Sequence, residues 1–549
     1  MTRGWAGAIV AIALAAGLLL RFGRLDARPM HHDEANQAVK FGALLETGQY
    51  RYDFQDHHGP TLYYLTLPAA WVRGQHTLAA LDEQTLRGVT AAFGLVTILL
   101  LPLLSPGIGR TAVAASALLL ALSPVMVFYS RMFIQESLFA CFTLGFVIAL
   151  GRVMTAGGLR WWAGVGVAAG LAIATKETSI IVLPAALLAS GVAWWWPGSE
   201  WPGRESVLTP HRPGLWVAIA SAAAIAALFY SSFLSNPAGM LQPFLGAGTY
   251  LSRGTQPASH AHPWYYYLTM LTYSSSGGLK WSEALVVVLA MVGVATVGRS
   301  KGPYSTRVRA GLAAGGTPVF WSRYLAAYVV LTTAVFSALP YKTPWNLLPF
   351  HVVAIVLAGV GVSRLVDVST SRVWRGAVVA AFVLGSAQLG WQAWRAAVTY
   401  AADPRNPYVY AQTVPDAVRM AARIRALAES HPDRTNMQVS VIAQPYEQWP
   451  LPWYLRTMPT VGYWTRTDDP LALQAPVIVS SMEFAPALEA ALGDRYVSAY
   501  YGLRPEVMLT LYVERGLWDR FLNATASGTA GNRCCPASPV ALWRAPSAP

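Results

Sequence analysis

The sequence is short of charge and of cysteine. Asp, Glu, Lys and Arg together make up 12% of its 549 residues, where a soluble domain carries about a quarter. That deficit argues against water as the solvent for most of the chain and for lipid in its place. Three cysteines exclude a disulfide framework. Cys141 lies in an apolar run and reads as core, and the adjacent Cys534 and Cys535 cannot bridge each other without strain. No Lys/Arg-rich tract is interleaved with aromatics, which sets nucleic acid aside as a partner. There is no HExxH spacing and no Asp-x-Asp, so neither a zinc site of that type nor a divalent ion clamped on a diphosphate is indicated. The first apolar run lacks an A-x-A-like cleavage site and reads as a retained span. No internal repeat is evident.

What is present is one apolar run after another, in a chain that is 54% hydrophobic. A span needs about 20 mostly apolar residues, fewer inside a bundle. Runs of this kind cover 5–22, 86–104, 111–129, 133–154, 161–175, 179–196, 214–234, 283–298, 321–339, 345–362 and 373–390. The fold class expected is therefore an α-helical polytopic membrane protein of about eleven spans. Residues 62–72 are apolar but too short to cross, and fit the interface.

With the N-terminus placed inside, alternate loops segregate by chemistry. One set is basic and otherwise bland: Arg110; Arg152 and Arg160; Arg204 and Arg212; Arg299, Lys301, Arg307 and Arg309; Arg364, Arg372 and Arg375. Cytoplasmic loops carry such an excess, which accounts for much of the net charge of +13. The other set holds nearly every residue with chemical potential and is expected outside. An odd number of spans puts the polar tail, 391–549, on that same face as a small extracytoplasmic α/β domain, with 1–390 as the membrane domain and 23–85 as its first outer loop. In the tail, 415–430 reads as an amphipathic helix, 438–443, 477–481 and 507–513 as strands and 484–492 as a helix. Asn523-Ala524-Thr525 matches a glycosylation sequon.

The candidate chemistry lies in that outer set. Asp33 and Glu34 stand about ten residues beyond the first span, within reach of water and lipid headgroups. Asp33 also suits the N-cap of a helix over 34–46, and a cap would fix the carboxylate as a general base requires. Asp56-His57-His58-Gly59-Pro60 breaks the chain before the interfacial helix that carries Tyr63. His31, His32, His57 and His58 suit zinc by ligand type but not by spacing, and such loop histidines are usually hydrogen-bonded or solvated. No metal or cofactor is expected. Arg131 and Glu136 flank the fourth span, where a salt bridge between them would anchor the helix; charges at membrane depth otherwise tend to be functional. Lys176-Glu177 admits the same two readings. Lys342, beside Tyr341 and Trp345, either snorkels to the interface or meets a lipid phosphate. Arg131 and Arg253 join it as phosphate ligands by residue type, and His262 lies in a neighbouring outer loop.

Three motifs in order carry a resemblance. His31-His32-Asp33-Glu34-Ala35, 56–64 (DHHGPTLYY) and Pro340-Tyr341-Lys342-Thr343-Pro344-Trp345 resemble the flippase-activity-associated membrane proteins of archaea and bacteria, and 449–454 (WPLPWY) is similar too. These are relatives within the GT-C glycosyltransferases, whose protein O-mannosyltransferase and aminoarabinose-transferase branch shares the layout. The resemblance implies an enzyme that takes a hexosyl or pentosyl group from a polyprenyl-phosphate donor at the outer leaflet of the plasma membrane. It passes the sugar with inversion to a glycan, lipid or protein acceptor. It implies Asp33 as general base, Glu34 as its orienter or a sugar ligand, and Lys342 with Arg131 stabilising the departing phosphate. Two other readings compete: a transporter or flippase for a lipid-linked sugar, and a non-catalytic scaffold for surface-glycan assembly.

Overall fold

The computed structural model describes residues 1–53, 58–196, 212–245, 260–297 and 318–526. The chain falls into two compact units. The first comprises Met1–Leu25, Ala43–Gln75 and Asp82–Tyr410; the second comprises Asp26–Gly42, His76–Leu81 and Ala411–Pro549.

The first unit is helical. Its helices are α1 (Arg3–Phe22), then, after α2 (His32–Thr47), α3 (Thr61–Val72), α4 (Glu83–Leu100), α5 (Arg110–Leu122), α6 (Pro124–Ser130) and α7 (Glu136–Ala156). They continue with α8 (Leu159–Ile173), α9 (Ser179–Trp195), α10 (Arg212–Tyr230), α11 (Tyr266–Thr272), α12 (Ala284–Ala295), α13 (Pro318–Ala338), α14 (Leu348–Asp367) and α15 (Arg372–Trp394). Each apolar run read from the sequence lies on one of these, except 111–129, which is divided between α5 and α6. Among the described residues, seven helices are long and apolar enough to cross a membrane, and the bent pair α5–α6 would make an eighth. The apolar helices α8, α9 and α12 are shorter. A two-stranded hairpin, β1 (Ser274–Ser276) and β2 (Leu279–Trp281), was not expected from the sequence; it turns on Gly277 and Gly278, both at positive φ.

The bend of 58° between α5 and α6 frees backbone groups in an apolar setting. Each side of the break finds a partner. Arg21 donates to the carbonyls of Leu120 and Ala121 at 2.9 and 3.0 Å. Ser123 caps Met126 N–H. Buried Glu283 accepts from Val125 N–H at 2.8 Å, from the Ser123 hydroxyl at 2.6 Å and from the Tyr408 hydroxyl at 3.0 Å, with His351 Nε2 at 3.1 Å.

Close helix pairs rest on glycine. A Cβ at Gly166 of α8 would lie 2.2 Å from the Ala218 carbonyl oxygen of α10, and one at Gly361 of α14 would lie 2.0 Å from that of Leu289 in α12. Small residues allow such backbone approach where lipid supplies no hydrophobic drive.

The second unit is α/β. Its five strands are β3 (Val439–Ile442), β4 (Val461–Trp464), β5 (Val477–Ser481), β6 (Tyr496–Arg504) and β7 (Val507–Glu514), in spatial order β4-β3-β5-β7-β6. β3 is parallel to β4 and β5, whereas β7 is antiparallel to β5 and β6. β3 and β5 are buried along their whole length, which is why their apolar runs were legible. The edge strands β4 and β6 escaped sequence reading. β4 is four residues with a glycine, and β6 is half-exposed and shifts register at Gly502. Helices α16 (Pro415–Glu429), α17 (Ala485–Leu492) and α18 (Arg515–Ala526) complete the unit. Leu488 and Leu492 of α17 join Ile442, Ile478 and Tyr512 in the core. Asn523 of the sequon lies within α18, and Cys534 and Cys535 lie outside the described residues.

Replacing Gly166 with Val is expected to cost about 1–3 kcal/mol, read as a lower unfolding temperature of the protein in detergent. Gly191→Val, where a side chain would meet nothing within 4 Å, is expected to change stability by no more than about 0.5 kcal/mol.

Candidate active site

In the second unit, the segment 26–34 is tied to the tail domain. α2 opens with a reciprocal cap. His31 Nδ1 accepts from Asp33 N–H at 3.0 Å, and the Glu34 carboxylate reaches back to His31 N–H at 3.0 Å. The N-cap is therefore His31, not Asp33 as expected. The imidazole takes the Asp33 backbone N–H, and the Asp33 carboxylate lies 3.7 Å from the same ring nitrogen. Arg28 donates to Glu34 at 3.4 Å, and the Glu34 side chain is fully buried while that of Asp33 is 40% exposed. Burial fixes one carboxylate, and partial exposure leaves the other within reach of solvent.

The tail motif at 449–454 lies in the crossover from β3 to β4. Its Tyr454 hydroxyl accepts from Met30 N–H at 2.7 Å, and the Trp449 ring lies 6.1 Å from that of His32. Gln412 donates to the Pro29 carbonyl at 2.9 Å, and Arg456 to that of Leu81 at 2.7 Å. Burial, and after it the opposing field of Asp33, leaves the His32 imidazole below its ordinary value. Sequence reading flagged the motif by resemblance alone. Its partners, Met30 and His32, lie more than 400 positions upstream and gave no local signal.

In the first unit, the other expected residues form a chain of contacts. Gly59 N–H donates to the Thr175 carbonyl at 3.1 Å, and a Cβ there would lie 2.1 Å from the Ala174 oxygen. Glycine thus lets the loop before α3 lie against 174–178. That approach pairs His58 Nδ1 with Glu177 at 2.6 Å, with the Tyr52 hydroxyl 3.4 Å from the same carboxylate. Burial opposes charge on both groups, and the pair outweighs it: Glu177 raises His58 above the usual imidazole value, and His58 holds Glu177 below the usual carboxylate value. The adjacent Lys176 turns inward and meets Glu136 at 2.5 Å and the Asn346 side-chain oxygen at 3.1 Å. The acid expected beside Arg131 is thus paired with Lys176. Tyr63 is buried against Tyr50, ring centroids 4.8 Å apart.

Arg131 donates to the carbonyls of Leu20, Arg21, Gly23 and Arg24 at 2.6–3.1 Å, where α1 ends. Cations are favoured at those orphan carbonyls. Lys342 is also buried, and its ammonium donates to the carbonyls of His262 at 3.0 Å and Leu339. An ammonium carries three donors, so one has no acceptor among the described residues. No carboxylate lies within ion-pair distance of Lys342 among the described residues, and burial lowers its pKa. Burial, followed by the neighbouring His260 and Lys342, lowers that of His262, whose ring stacks on Tyr266 at 4.2 Å. Trp345 sits between Tyr129 and Tyr410, at 6.0 and 5.8 Å. Asp56, His57 and Arg253 lie outside the described residues. Among the described residues, no three His, Cys, Asp or Glu side chains gather into a metal-binding group.

The chain thus combines a polytopic helical unit with a small α/β unit and carries an acidic pair at the start of α2. The family model for dolichyl-phosphate-mannose-protein mannosyltransferases matches residues 66–230. By structure, the chain is similar to ArnT from Cupriavidus metallidurans bound to undecaprenyl phosphate, at 16% identity and TM-score 0.58, covering 94% of this chain and 99% of that one. It is similar to the oligosaccharyltransferase of Archaeoglobus fulgidus, at 11% identity and TM-score 0.57, covering 95% and 78%. It is also similar to the S. cerevisiae protein O-mannosyltransferase Pmt1-Pmt2 complex bound to its sugar donor, at 11% identity and TM-score 0.54, covering 73% and 91%. No curated protein matches the sequence significantly. The chain is a multi-pass membrane protein that shares the fold of these three structures, and its residues 66–230 match that family model.

Two outcomes are expected. Tyr454→Phe removes the acceptor of a buried N–H, at a cost of about 1–3 kcal/mol, read as earlier proteolysis or unfolding. For the His58–Glu177 pair, a raised imidazole stabilises the fold below its ordinary value of 6.5 and is lost as pH rises through the raised value. A depressed carboxylate stabilises above 4.5 and is lost as pH falls. Glu177→Gln is therefore expected to lower the unfolding temperature more between those two values than at pH well above the raised imidazole. Equal lowering at both would count against the ion pair.

Proposed function

We propose that the protein transfers a sugar from a polyprenyl-phosphate carrier to an acceptor hydroxyl on the outer side of the plasma membrane, inverting the anomeric centre, with Asp33 as general base. The observation that carries this reading is the start of α2. His31 and Glu34 take over the capping, so Asp33 keeps a partly exposed carboxylate on a helix end that cannot swing. A base held in this way can take the acceptor proton as the carbon–oxygen bond forms, an effect of about 10²–10⁴-fold.

Glu34 is then a positioning residue. Its buried carboxylate fixes the backbone from His31 to Asp33 and is neutralised by Arg28. The leaving lipid phosphate gathers negative charge as the anomeric bond breaks. Lys342, with its remaining donor, is the cation for it, and Arg131 supports by fixing the end of α1. His57, His58, Tyr63, Glu136, Lys176, Glu177, Arg253, His262 and Trp345 remain binding candidates. For His58, Glu136, Lys176, Glu177, His262 and Trp345 the support is their contacts around the Lys342 segment, and for Tyr63 its burial against Tyr50. The N-terminus is cytoplasmic in this reading, and the tail domain lies outside.

A second reading, translocation of a lipid-linked sugar, draws on the break between α5 and α6 beside the buried Glu283–His351 pair. Broken helices with buried charge are a feature of transporters.

Purified protein supplied with a radiolabelled polyprenyl-phosphate sugar is expected to release lipid phosphate. Asp33→Asn should lower that turnover by at least about 10²-fold with little change in KM. Glu34→Gln should lower kcat less. Full turnover by Asp33→Asn removes Asp33 from the chemistry. Movement of the labelled lipid across a vesicle membrane without sugar release favours the second reading.

A further inference from the structure

We infer that Arg395 and its aromatic surround bind the phosphodiester headgroup of an acidic phospholipid. The site is independent of the glycosyl-transfer reading.

α15 continues into a π-helical turn, Arg395–Thr399, and the combined apolar segment Arg372–Thr399 turns most of its surface outward. From Arg372 to Arg395 is a rise of about 35 Å, slightly more than the roughly 30 Å of hydrocarbon in a bilayer. Arg372 and Arg375 mark one end, so Arg395 stands at headgroup depth at the other. The rings beside it fit that depth: Trp391 is 58% and Trp394 43% exposed, and tryptophan concentrates at membrane interfaces.

The guanidinium carbon of Arg395 lies over three rings, 4.4 Å from the centroid of Trp391, 5.0 Å from that of Tyr400 and 5.3 Å from that of Trp281. Cation–π contacts orient it but occupy none of its five N–H donors. Among the described residues, its side chain donates no hydrogen bond and meets no carboxylate. The contrast with its neighbour is direct. Arg405 lies over the same Tyr400 ring but is locked bidentately to Asp403 at 2.7–3.2 Å. Lys280, next to Trp281 in β2, is exposed, and among the described residues it meets no carboxylate. Opposite it in register is Ser275, and Ser276 follows, so two hydroxyls stand on the same hairpin.

A planar fork with its donors unspent, set among rings at the height of lipid phosphates, matches the bidentate recognition of a phosphate. A guanidinium that meets no carboxylate among the described residues selects lipids with net negative charge. Sequence reading passed over Arg395, because one arginine after an apolar run looks like any other. The three rings come from separate elements: α15, the hairpin and the segment after the π-turn.

The test is native mass spectrometry of the full-length protein released from detergent with equimolar phosphatidylglycerol and phosphatidylcholine. Wild type is expected to retain phosphatidylglycerol in preference, and Arg395→Gln to lose about tenfold of that retention, as for one charge-assisted bond. Arg419→Gln, an equal change of charge in the tail domain, should retain it fully. Arg395→Lys keeps the charge without the fork and guards against misfolding of the Gln variant. The rise in unfolding temperature on adding phosphatidylglycerol is expected to be smaller for it than for wild type. Excess inorganic phosphate is expected to leave the lipid bound. Equal retention of the two lipids by wild type, equal retention by wild type and Arg395→Gln, an equal temperature rise for the Lys variant, or displacement by inorganic phosphate would each overturn the assignment.

Discussion

In an apolar medium, a backbone N–H or C=O that leaves a helix must find a partner in the protein, because no water is there to take it. This chain bends or breaks its helices at several points and has few charged residues to spend. The first unit spends them on that problem. Arg21 takes the carbonyls at the end of α5, Arg131 those at the end of α1, and Lys342 those of Leu339 and His262. Glu283 takes the N–H end of the α5–α6 break, with Ser123 and Tyr408 filling its other oxygen positions. A residue in this role is both structural and available for chemistry only to the extent that it keeps donors in reserve. Among the described residues, Lys342 keeps one without an acceptor.

The same economy shapes the start of α2. Two carboxylates stand side by side, and a helix N-terminus favours both. The capping work goes to His31 and Glu34, and the tail domain grips the preceding segment through Tyr454 and Gln412. A flexible loop could hold an acid at the same place in the sequence but not at one orientation. The crossover of a parallel β-pair, carrying a rigid Trp-Pro-Leu-Pro-Trp-Tyr run, supplies the stiffness that an outer loop lacks.

Residue types told much of this story in advance, and pairings told little. That Arg131, Glu136, Lys176, Glu177 and Lys342 would each be held by a partner was legible, since a charge amid apolar runs is costly. Who partners whom was not. Glu136 finds Lys176, forty positions on, rather than the arginine five positions before it. The cap of α2 is a histidine that outcompetes a neighbouring aspartate, against ordinary preference. The edge strands were invisible because half-exposed strands need no apolar run, whereas the central β3 and β5 had to show one.

The amino-acid sequence determined by itself that the chain lives in a membrane, where its helices run, and that a small α/β unit follows them. Hydrophobic length and periodicity are local properties, and lipid reads them directly. The tertiary structure decided which charges neutralise one another, which cap backbone and which keep a face toward solvent or lipid. Those outcomes depend on groups brought within 3 Å from positions tens to hundreds of residues apart, and no local pattern encodes such distances.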